Sequence, residues 1–229
     1  MYGIDQDTIN VVSARRGRLH AYDSFEGPRT ALVVVDMQNY FVAPGYAAEV
    51  PPARDIVPAI NAAARAVRAA GGLIVWIHTS SDGADGYWSC VHHHLLNEAM
   101  SKRRLTELSE KHEGYKLWPA LETVTSDLHV TKTRFSALIQ GSSPLEGILR
   151  ERGIENVLVA GTATNVCCES TARDAMMLNF KTVMLADCNA ASTEAAHVGT
   201  LSNFIQFFGD VMNGDEMAQR LRPAAARAA

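Results

Sequence analysis

The chain alternates continuous apolar runs with stretches whose apolar residues recur at helical spacing. The runs at residues 30–36 (TALVVVD) and 73–79 (LIVWIHT) are typical of strands buried on both faces of a parallel sheet. Between them, residues 55–70 have helical spacing and stop at Gly71 and Gly72. This order of strand, helix and strand predicts a right-handed β-α-β unit.

The second half of the chain continues the same alternation. We predict a third strand around residues 128–131, followed by a helix that is capped by Ser143 and ends near Gly153. A fourth strand in residues 155–161 is followed by another helix. A fifth strand in residues 181–190 has an acidic end at Asp187, and a weaker last strand lies near residues 207–212. Together these elements predict an α/β fold with a doubly wound parallel sheet. Ligands of such folds bind beyond the carboxyl ends of the strands, near the point where the strand order reverses.

The domain organisation follows from where this alternation starts and stops. Residues 1–29 mix charged, glycine and small polar residues without a clear period, which predicts an N-terminal arm packed on the body or on a neighbouring subunit. Residues 30–222 then form a single domain, and residues 223–229 are expected to fray. The stretch 80–117 is polar, aromatic and rich in histidine, and it is too long for a simple connection. We expect it to cover a site.

Composition narrows the class of partner. The 229 residues include 21 Lys and Arg against 25 Asp and Glu, a net charge of −4, so no basic field is available for nucleic acid or an anionic membrane. No apolar run is long enough for a signal peptide or a membrane-spanning helix, and the four cysteines form no C-x-x-C pair. We therefore expect a cytoplasmic protein with reduced thiols and a small-molecule partner.

Three reactive side chains follow strands of the predicted sheet. Asp36 follows the first strand, Lys132 the third, and Cys167 lies in the turn after the fourth. A helix N-terminus and a nearby ammonium favour the thiolate form of a thiol, so we expect Cys167 to be reactive at neutral pH, with Asp36 able to accept its proton. Alone, each residue has an ordinary structural explanation, as a helix cap, a solvated lysine or a core thiol. Their placement at one end of the sheet favours a catalytic set.

The sequences around these three residues resemble a known family. DMQNYF at residues 36–41, KTRFSAL at 132–138 and GTATNVCCEST at 161–171 are similar to motifs of the cysteine hydrolases in the isochorismatase-like superfamily, above all the ureidoacrylate and N-carbamoyl amide hydrolases. The resemblance covers about residues 30–212. It implies a six-stranded parallel sheet flanked by helices in a Rossmann-like, three-layer fold, and a homodimer or homotetramer.

The resemblance also implies roles for individual residues. The family's catalytic triad corresponds to Asp36, Lys132 and the nucleophile Cys167. The family has a cis peptide bond that corresponds to Thr162–Ala163, and an oxyanion hole that corresponds to the backbone amides of Ala163 and Cys167. Cys168 occupies a position that is usually Val or Ile, and we interpret it as a buried neighbour.

The activity implied is a cysteine-dependent amidohydrolase without a cofactor. It would cleave a linear C–N bond of a small amide, ureido or N-carbamoyl compound through an acyl- or carbamoyl-thioester and release ammonia or an amine. An isochorismatase-type vinyl-ether hydrolase is an alternative, since Tyr-Phe follows the Asp36 motif as in those enzymes. A noncatalytic binding protein on the same fold is a second alternative, and a thiol redox protein that uses Cys167 and Cys168 is a third.

Substrate contacts are predicted from the motifs and from the 80–117 stretch. The residues proposed are Gln38, Phe41, Trp88, His92 and Phe135. No metal is expected, because residues 79–83 lack the Asp-x-His pair with which the family's nicotinamidases bind a divalent ion. The consecutive residues His92, His93 and His94 cannot all face one ion on a helix, where neighbours point about 100° apart.

Overall fold

A six-stranded parallel sheet forms the centre of the molecule. The computed structural model describes residues 1–223, so residues 224–229 of the predicted tail lie outside the described part. The strands in chain order are β1 (Phe25–Glu26), β2 (Thr30–Val35), β3 (Leu73–Thr79), β4 (Leu128–Lys132), β5 (Asn156–Thr162), β6 (Lys181–Ala190), β7 (Asp210–Met212) and β8 (Leu221–Arg222). The large sheet has the order β4-β3-β2-β5-β6-β7 with every pair parallel, and β1 pairs with β8. The predicted fold class is confirmed.

Helices cover both faces of this sheet. In chain order they are α1 (Gln6–Arg16), α2 (Asn39–Val42), α3 (Val57–Ala69), α4 (Ala84–Tyr87), α5 (Glu98–Glu107), α6 (Leu145–Glu151), α7 (Glu169–Met177), α8 (Glu194–Phe207) and α9 (Gly214–Arg220). One core joins the sheet to α1, α6, α7 and α8, and a second joins it to α3 and α9. In β2, Val33 and Val35 enter the first core while Leu32 and Val34 enter the second, and all four are fully buried.

The strand order reverses next to β2. The chain goes from β2 to β3 and β4 on one side of the sheet, and then returns to place β5 on the other side. The reversal therefore lies between β2 and β5, and ligand sites of doubly wound sheets form at this point. Asp36 follows β2 and Ala163 follows β5, so both lie at the predicted place.

The N-terminal arm contains a helix that the sequence analysis did not predict. Asp5 begins α1 by accepting a hydrogen bond from the Thr8 amide at 2.8 Å, and Gly17 ends it in the left-handed conformation at φ 72°. Val12 is fully buried in the first core, where α1 packs against α8. In this structure the arm packs on the body of its own chain.

The 80–117 stretch folds into short helical pieces. It holds α4, a π-helical turn at Val91–Leu95, α5, and a 3-10 turn at Glu113–Tyr115. It is tied to the carboxyl end of β2 by an antiparallel bridge between Gln38 and Leu117, and by a 2.8 Å hydrogen bond from the Asn39 amide to the Lys116 carbonyl. No helix within residues 1–223 is long and apolar enough to cross a membrane.

Two predicted strand boundaries are wrong. Asp187 lies inside β6 rather than at its end, where it is exposed and accepts a 2.8 Å hydrogen bond from the Gly214 amide. Phe207 belongs to α8, because the apolar residues before it recur at helical spacing, and β7 begins only at Asp210.

Candidate active site

Asp36 forms a sharp turn directly after β2. Its φ of 53° lies in the left-handed region, which Asp tolerates better than most residues. The Asp36 amide donates to the Ile77 carbonyl at 3.1 Å, so the turn is fixed to the neighbouring strand β3. This turn holds the Asp36 side chain, which is fully buried, at the carboxyl end of the sheet.

Lys132 and Thr79 meet Asp36 from the adjacent strands. Lys132 ends β4 in register with Thr79 at the end of β3, and its Nζ lies 2.9 Å from Asp36 Oδ2. Nζ also donates to Thr79 Oγ1 at 2.5 Å, and this hydroxyl donates onward to Asp36 Oδ1 at 2.8 Å. Thr79 therefore bridges the two charges. It is a site residue that the sequence analysis missed, although its place at the end of the second strand was a usable signal.

The remaining hydrogen bonds leave one Asp36 oxygen open. Lys132 Nζ directs a further hydrogen bond to the Arg134 carbonyl at 3.0 Å. Asp36 Oδ2 has no aligned hydrogen-bond donor among residues 1–223, although it is buried and close to the ammonium. A buried ion pair costs several kcal/mol of desolvation per ion, and the 2.9 Å contact between Oδ2 and the Lys132 ammonium offsets part of that cost. Oδ2 has acceptor capacity left for one further donor, as a general base requires.

Cys167 lies in an irregular turn between β5 and α7. Residues Thr164–Cys168 form a π-helical turn, in which the Cys168 amide donates to the Ala163 carbonyl at 3.2 Å. Cys167 is 6% exposed and its thiol interacts with Asp36, whereas Cys168 is fully buried with Sγ 3.8 Å from the Ala160 carbonyl. The interpretation of Cys168 as a buried neighbour is confirmed.

The predicted thiolate is wrong for the resting site. Burial raises the pKa of Cys167, the positive charge of Lys132 lowers it, the Asp36 charge raises it again, and the result is about 12. The thiol is therefore protonated at neutral pH. Burial is the largest single influence on the pKa of Lys132 and lowers it, but the charge and hydrogen bond of Asp36 together with Cys167 outweigh burial, so the pKa is raised and the ammonium stays charged.

Cys167 opens into a cavity of about 340 Å³, which is small even for a ligand pocket. Its wall includes Cys167, Ala163 and Val166 from the turn after β5, Phe41 from α2, residues 47–50 from the following loop, Arg104 from α5, Phe135 and Ser192. The 80–117 stretch thus contributes to the wall through Arg104. Cys167, the nucleophile candidate, and Ala163, whose amide donates no hydrogen bond within residues 1–223, line the same cavity.

A family model for the isochorismatase domain matches residues 30–216 of this chain. The chain belongs to the isochorismatase family of hydrolases. It is 35% identical over 217 residues to a ureidoacrylate amidohydrolase from Klebsiella pneumoniae, and the alignment covers 88% of this chain and 91% of the relative. The family resemblance predicted from the three motifs is confirmed.

Two solved structures share the fold. A cysteine hydrolase from Pseudomonas syringae pv. phaseolicola aligns with a TM-score of 0.76 at 27% identity, covering 88% of this chain and 96% of the other. An N-carbamoylsarcosine amidase from Thermoplasma acidophilum aligns with a TM-score of 0.63 at 23% identity, covering 82% and 97%. The second likeness concerns the fold alone.

The site of this isochorismatase-family chain contains two of the predicted substrate contacts. Phe41 and Phe135 line the cavity, and Phe135 separates it from a neighbouring groove. The Thr162–Ala163 peptide bond is cis, as the family resemblance implies.

Gln38 does not reach the cavity, contrary to expectation. Its Nε2 donates to the carbonyls of Thr79 and Tyr115 at 3.1 and 2.9 Å, and its Oε1 accepts from the Thr79 amide at 2.7 Å. The side chain is fully buried. Its hydrogen bonds hold the end of β3 in place, which positions Thr79 beneath the charged pair.

Trp88 and His92 are also outside the cavity. Trp88 lines the neighbouring groove and packs edge-on against Phe135, with ring centroids 4.7 Å apart. His92 is buried, with Nδ1 2.9 Å from Ser101 Oγ on α5. Both were expected to contact substrate, but the short helices of the 80–117 stretch turn them toward α5 and Phe135 instead.

The consecutive histidines and Asp82 do not come together as one cluster in the described residues. Asp82 is exposed, and its Oδ2 accepts from the Glu110 amide at 3.2 Å. Across residues 1–223, no three His, Cys, Asp or Glu side chains come together in an arrangement suited to a metal ion. His93 and His94 lie exposed on the surface.

Proposed function

We propose that this protein is a cysteine-dependent amidohydrolase that cleaves a linear C–N bond of a small amide, ureido or N-carbamoyl compound. The observation that carries the proposal is the buried Asp36–Lys132 pair beside Cys167 at the wall of one small cavity. The similarity to a ureidoacrylate amidohydrolase supports the ureido class of substrate.

The first half of the reaction forms a covalent intermediate. Asp36 Oδ2 accepts the thiol proton as Cys167 Sγ bonds to the carbonyl carbon of the substrate. The C–N bond then breaks, and Asp36 returns the proton to the leaving nitrogen, which departs as ammonia or an amine. An acyl- or carbamoyl-thioester remains on Cys167.

The second half of the reaction restores the thiol. Asp36 takes a proton from water, the hydroxide bonds to the thioester carbon, and the C–S bond breaks. The acid or carbamic acid leaves, and the sulfur recovers the proton held by Asp36. Lys132 balances the Asp36 charge throughout, and the Thr79 hydroxyl fixes both groups in place.

Backbone amides would stabilise the oxyanion that forms on the carbonyl oxygen. Ala163 lines the cavity and its amide has no acceptor in the described chain, and the Cys167 amide belongs to the same residue as the attacking sulfur. Donors of this kind contribute about 3 to 4 kcal/mol to barrier lowering in acyl transfer.

The rival functions leave features of the site unused. A vinyl-ether hydrolase has no step that requires a nucleophilic thiol at Cys167. A noncatalytic binding protein would keep two buried charges at a cost of several kcal/mol without a compensating role. The thiol redox hypothesis requires a disulfide bond between the adjacent residues Cys167 and Cys168, and such a bond is strained.

Ammonia release by purified protein tests the proposal. The panel would hold ureido acids, N-carbamoyl amino acids, nicotinamide and aliphatic amides, with Cys167→Ser beside the wild type. We expect loss of about 10³-fold or more in the variant, because the nucleophile acts as one unit with its base. Cys168→Ala is the matched control, since it removes the adjacent thiol outside the cavity and should keep activity. Turnover by Cys167→Ser at the wild-type rate would refute the proposal.

A further inference from the structure

Arg104 is a cation of the cavity wall that the triad chemistry does not use. It comes from α5, the longest helix of the 80–117 stretch, and it lines the cavity together with Cys167 and Ala163. Its charge is felt at the reacting groups, because it lowers the pKa of Cys167 and also acts on that of Lys132. The guanidinium is therefore close enough to hold one part of a small molecule while Cys167 attacks another.

The hydrogen-bonding capacity of Arg104 is not exhausted. Its Nε is buried and has no acceptor within residues 1–223. Its guanidinium carbon lies 5.8 Å from the ring centroid of Trp88, a contact that orients the group without consuming its N–H donors. Because Nε is shielded from solvent, the terminal Nη groups of the same guanidinium are the donors that a ligand in the cavity can meet.

No acid of the cavity wall neutralises Arg104. Glu107, on the same helix, pairs with Arg103 at 2.7 Å instead. Glu49 is the acidic residue among those lining the cavity, but it pairs with Arg54 at 3.0 Å and accepts from the Gly45 amide at 2.9 Å. Since Lys132 is balanced by Asp36, Arg104 leaves the cavity with an excess of one positive charge.

We propose that Arg104 binds a carboxylate of the substrate, so that the enzyme prefers small ureido or N-carbamoyl acids to neutral amides of the same size. This inference rests on the proposed function and names its substrate class. The planar guanidinium matches a carboxylate through two parallel hydrogen bonds, and a fixed carboxylate would orient the ureido carbonyl toward Cys167. Because the cavity is small, only a few bonds can separate the carboxylate of the substrate from its ureido carbonyl.

Paired substrates test the assignment. 3-Ureidopropionate carries the carboxylate, and butylurea replaces it with an apolar group of similar length. The ratio of kcat/KM for the acid over butylurea should fall about 10- to 100-fold in Arg104→Gln, mainly through KM, because a charge-assisted pair is lost. Arg104→Lys should recover part of this preference. A merely structural role would lower kcat/KM for both compounds together and leave the ratio unchanged, which would overturn the assignment.

Lys102→Gln is the matched control. It removes the same charge from the same helix at an exposed position, so the preference should stay within about threefold of wild type. A fall in the ratio equal to that of Arg104→Gln would mean that helix charge in general, and not the Arg104 contact, sets the preference.

Binding separates this inference from the proposed function. Calorimetry of 3-ureidopropionate with Cys167→Ser needs no turnover, and adding Arg104→Gln should weaken binding about tenfold or more. If the wild type releases no ammonia from any compound but this difference persists, the amidohydrolase proposal fails while the anion site stands. If Cys167→Ser binds butylurea as tightly as the acid, or does not bind the acid at all, the Arg104 proposal is wrong.

Discussion

The Cys167 thiol lies in a site that keeps its proton in place. Burial is the main cause of its raised pKa, and the nearby Asp36 charge adds to it, while Lys132 offsets only a part. In the mechanism proposed for this site, catalysis therefore depends on proton transfer to Asp36 when the substrate is bound, and not on a stored thiolate. A neutral thiol in the free enzyme is also protected from oxidation, because the thiolate is the reactive form.

Alkylation of the free enzyme tests this state of Cys167. The rate of iodoacetamide modification should still rise by roughly tenfold per pH unit up to about pH 10, since the raised pKa keeps the thiolate scarce over that range. Peptide mass spectrometry would follow Cys167 separately from Cys90, the exposed thiol of the same chain. A Cys167 rate that already levels off below pH 7 would show a preformed thiolate and contradict the account.

Single residues differ in how far the sequence could predict them. Asp36, Lys132 and Cys167 could be found because each follows a strand with a clear apolar run. Arg104 could not be found in this way, because α5 has no fully buried residue and its apolar pattern does not show which side faces a cavity. Gln38 is only two residues from Asp36 in sequence, yet its side-chain amide makes hydrogen bonds to the backbone of Thr79 and Tyr115 instead of facing the cavity.

At the scale of elements, the site depends on close contact between β2 and β5. Gly161 has a φ of 116°, and a Cβ at this position would lie 2.0 Å from the Val35 carbonyl oxygen. A side chain therefore does not fit, and the two strands can approach only because residue 161 is glycine. Asp36 and Ala163 follow directly at this contact.

Gly161→Ala should consequently be strongly destabilising. We expect a loss of about 3 kcal/mol or more in the free energy of unfolding, since the clash is with backbone that cannot move without shifting β2. Urea denaturation would measure it. Gly147→Ala is the control, because residue 147 is exposed in α6 with open space around it and alanine should stabilise that helix by up to about 1 kcal/mol. Equal effects of the two substitutions would disprove the close-contact argument.

Helices and strands could be predicted from the sequence more accurately where more of their residues are buried. β3 matches the predicted range, because strands buried on both faces give an uninterrupted apolar run. Helix α1 was missed because only Val12 of its residues is buried, although Asp5 and Gly17 are capping signals that could have been used. The cavity wall at residues 47–50 has no periodic pattern, since its position is set by tertiary contacts such as the Arg54 hydrogen bond to the Val42 carbonyl.

At the scale of the whole molecule, the N-terminal arm is part of the folded body. Arg16 donates to the carbonyls of Ile205 and Gly209, and lies 3.9 Å from Asp210, which is fully buried at the start of β7. Asp210 in turn accepts from the Ala21 amide at 2.7 Å. The arm thereby packs against the edge of the sheet at β7, although the two segments are 189 to 193 residues apart in the sequence at these contacts.

Arg16→Met should therefore reduce the free energy of unfolding by about 2 kcal/mol, because two partly buried carbonyls lose their donor and the buried Asp210 carboxylate loses a nearby positive charge. Arg18→Met is the matched control on the same arm. Its ion pair with Asp23 is half-exposed or more on both sides, so the change should stay within about 0.5 kcal/mol. Unchanged stability of Arg16→Met in urea would mean that the arm is not coupled to the fold.

Mass spectrometry of the protein during turnover tests the central claim most directly. Wild-type protein mixed with a turned-over ureido or N-carbamoyl compound, quenched in acid and digested, should carry the acyl or carbamoyl group on the peptide of Cys167. The same treatment of Cys167→Ser should give no adduct and no ammonia above background. Ammonia release by the wild type without any adduct on Cys167, or with the adduct on another cysteine, would contradict the covalent mechanism proposed for this site.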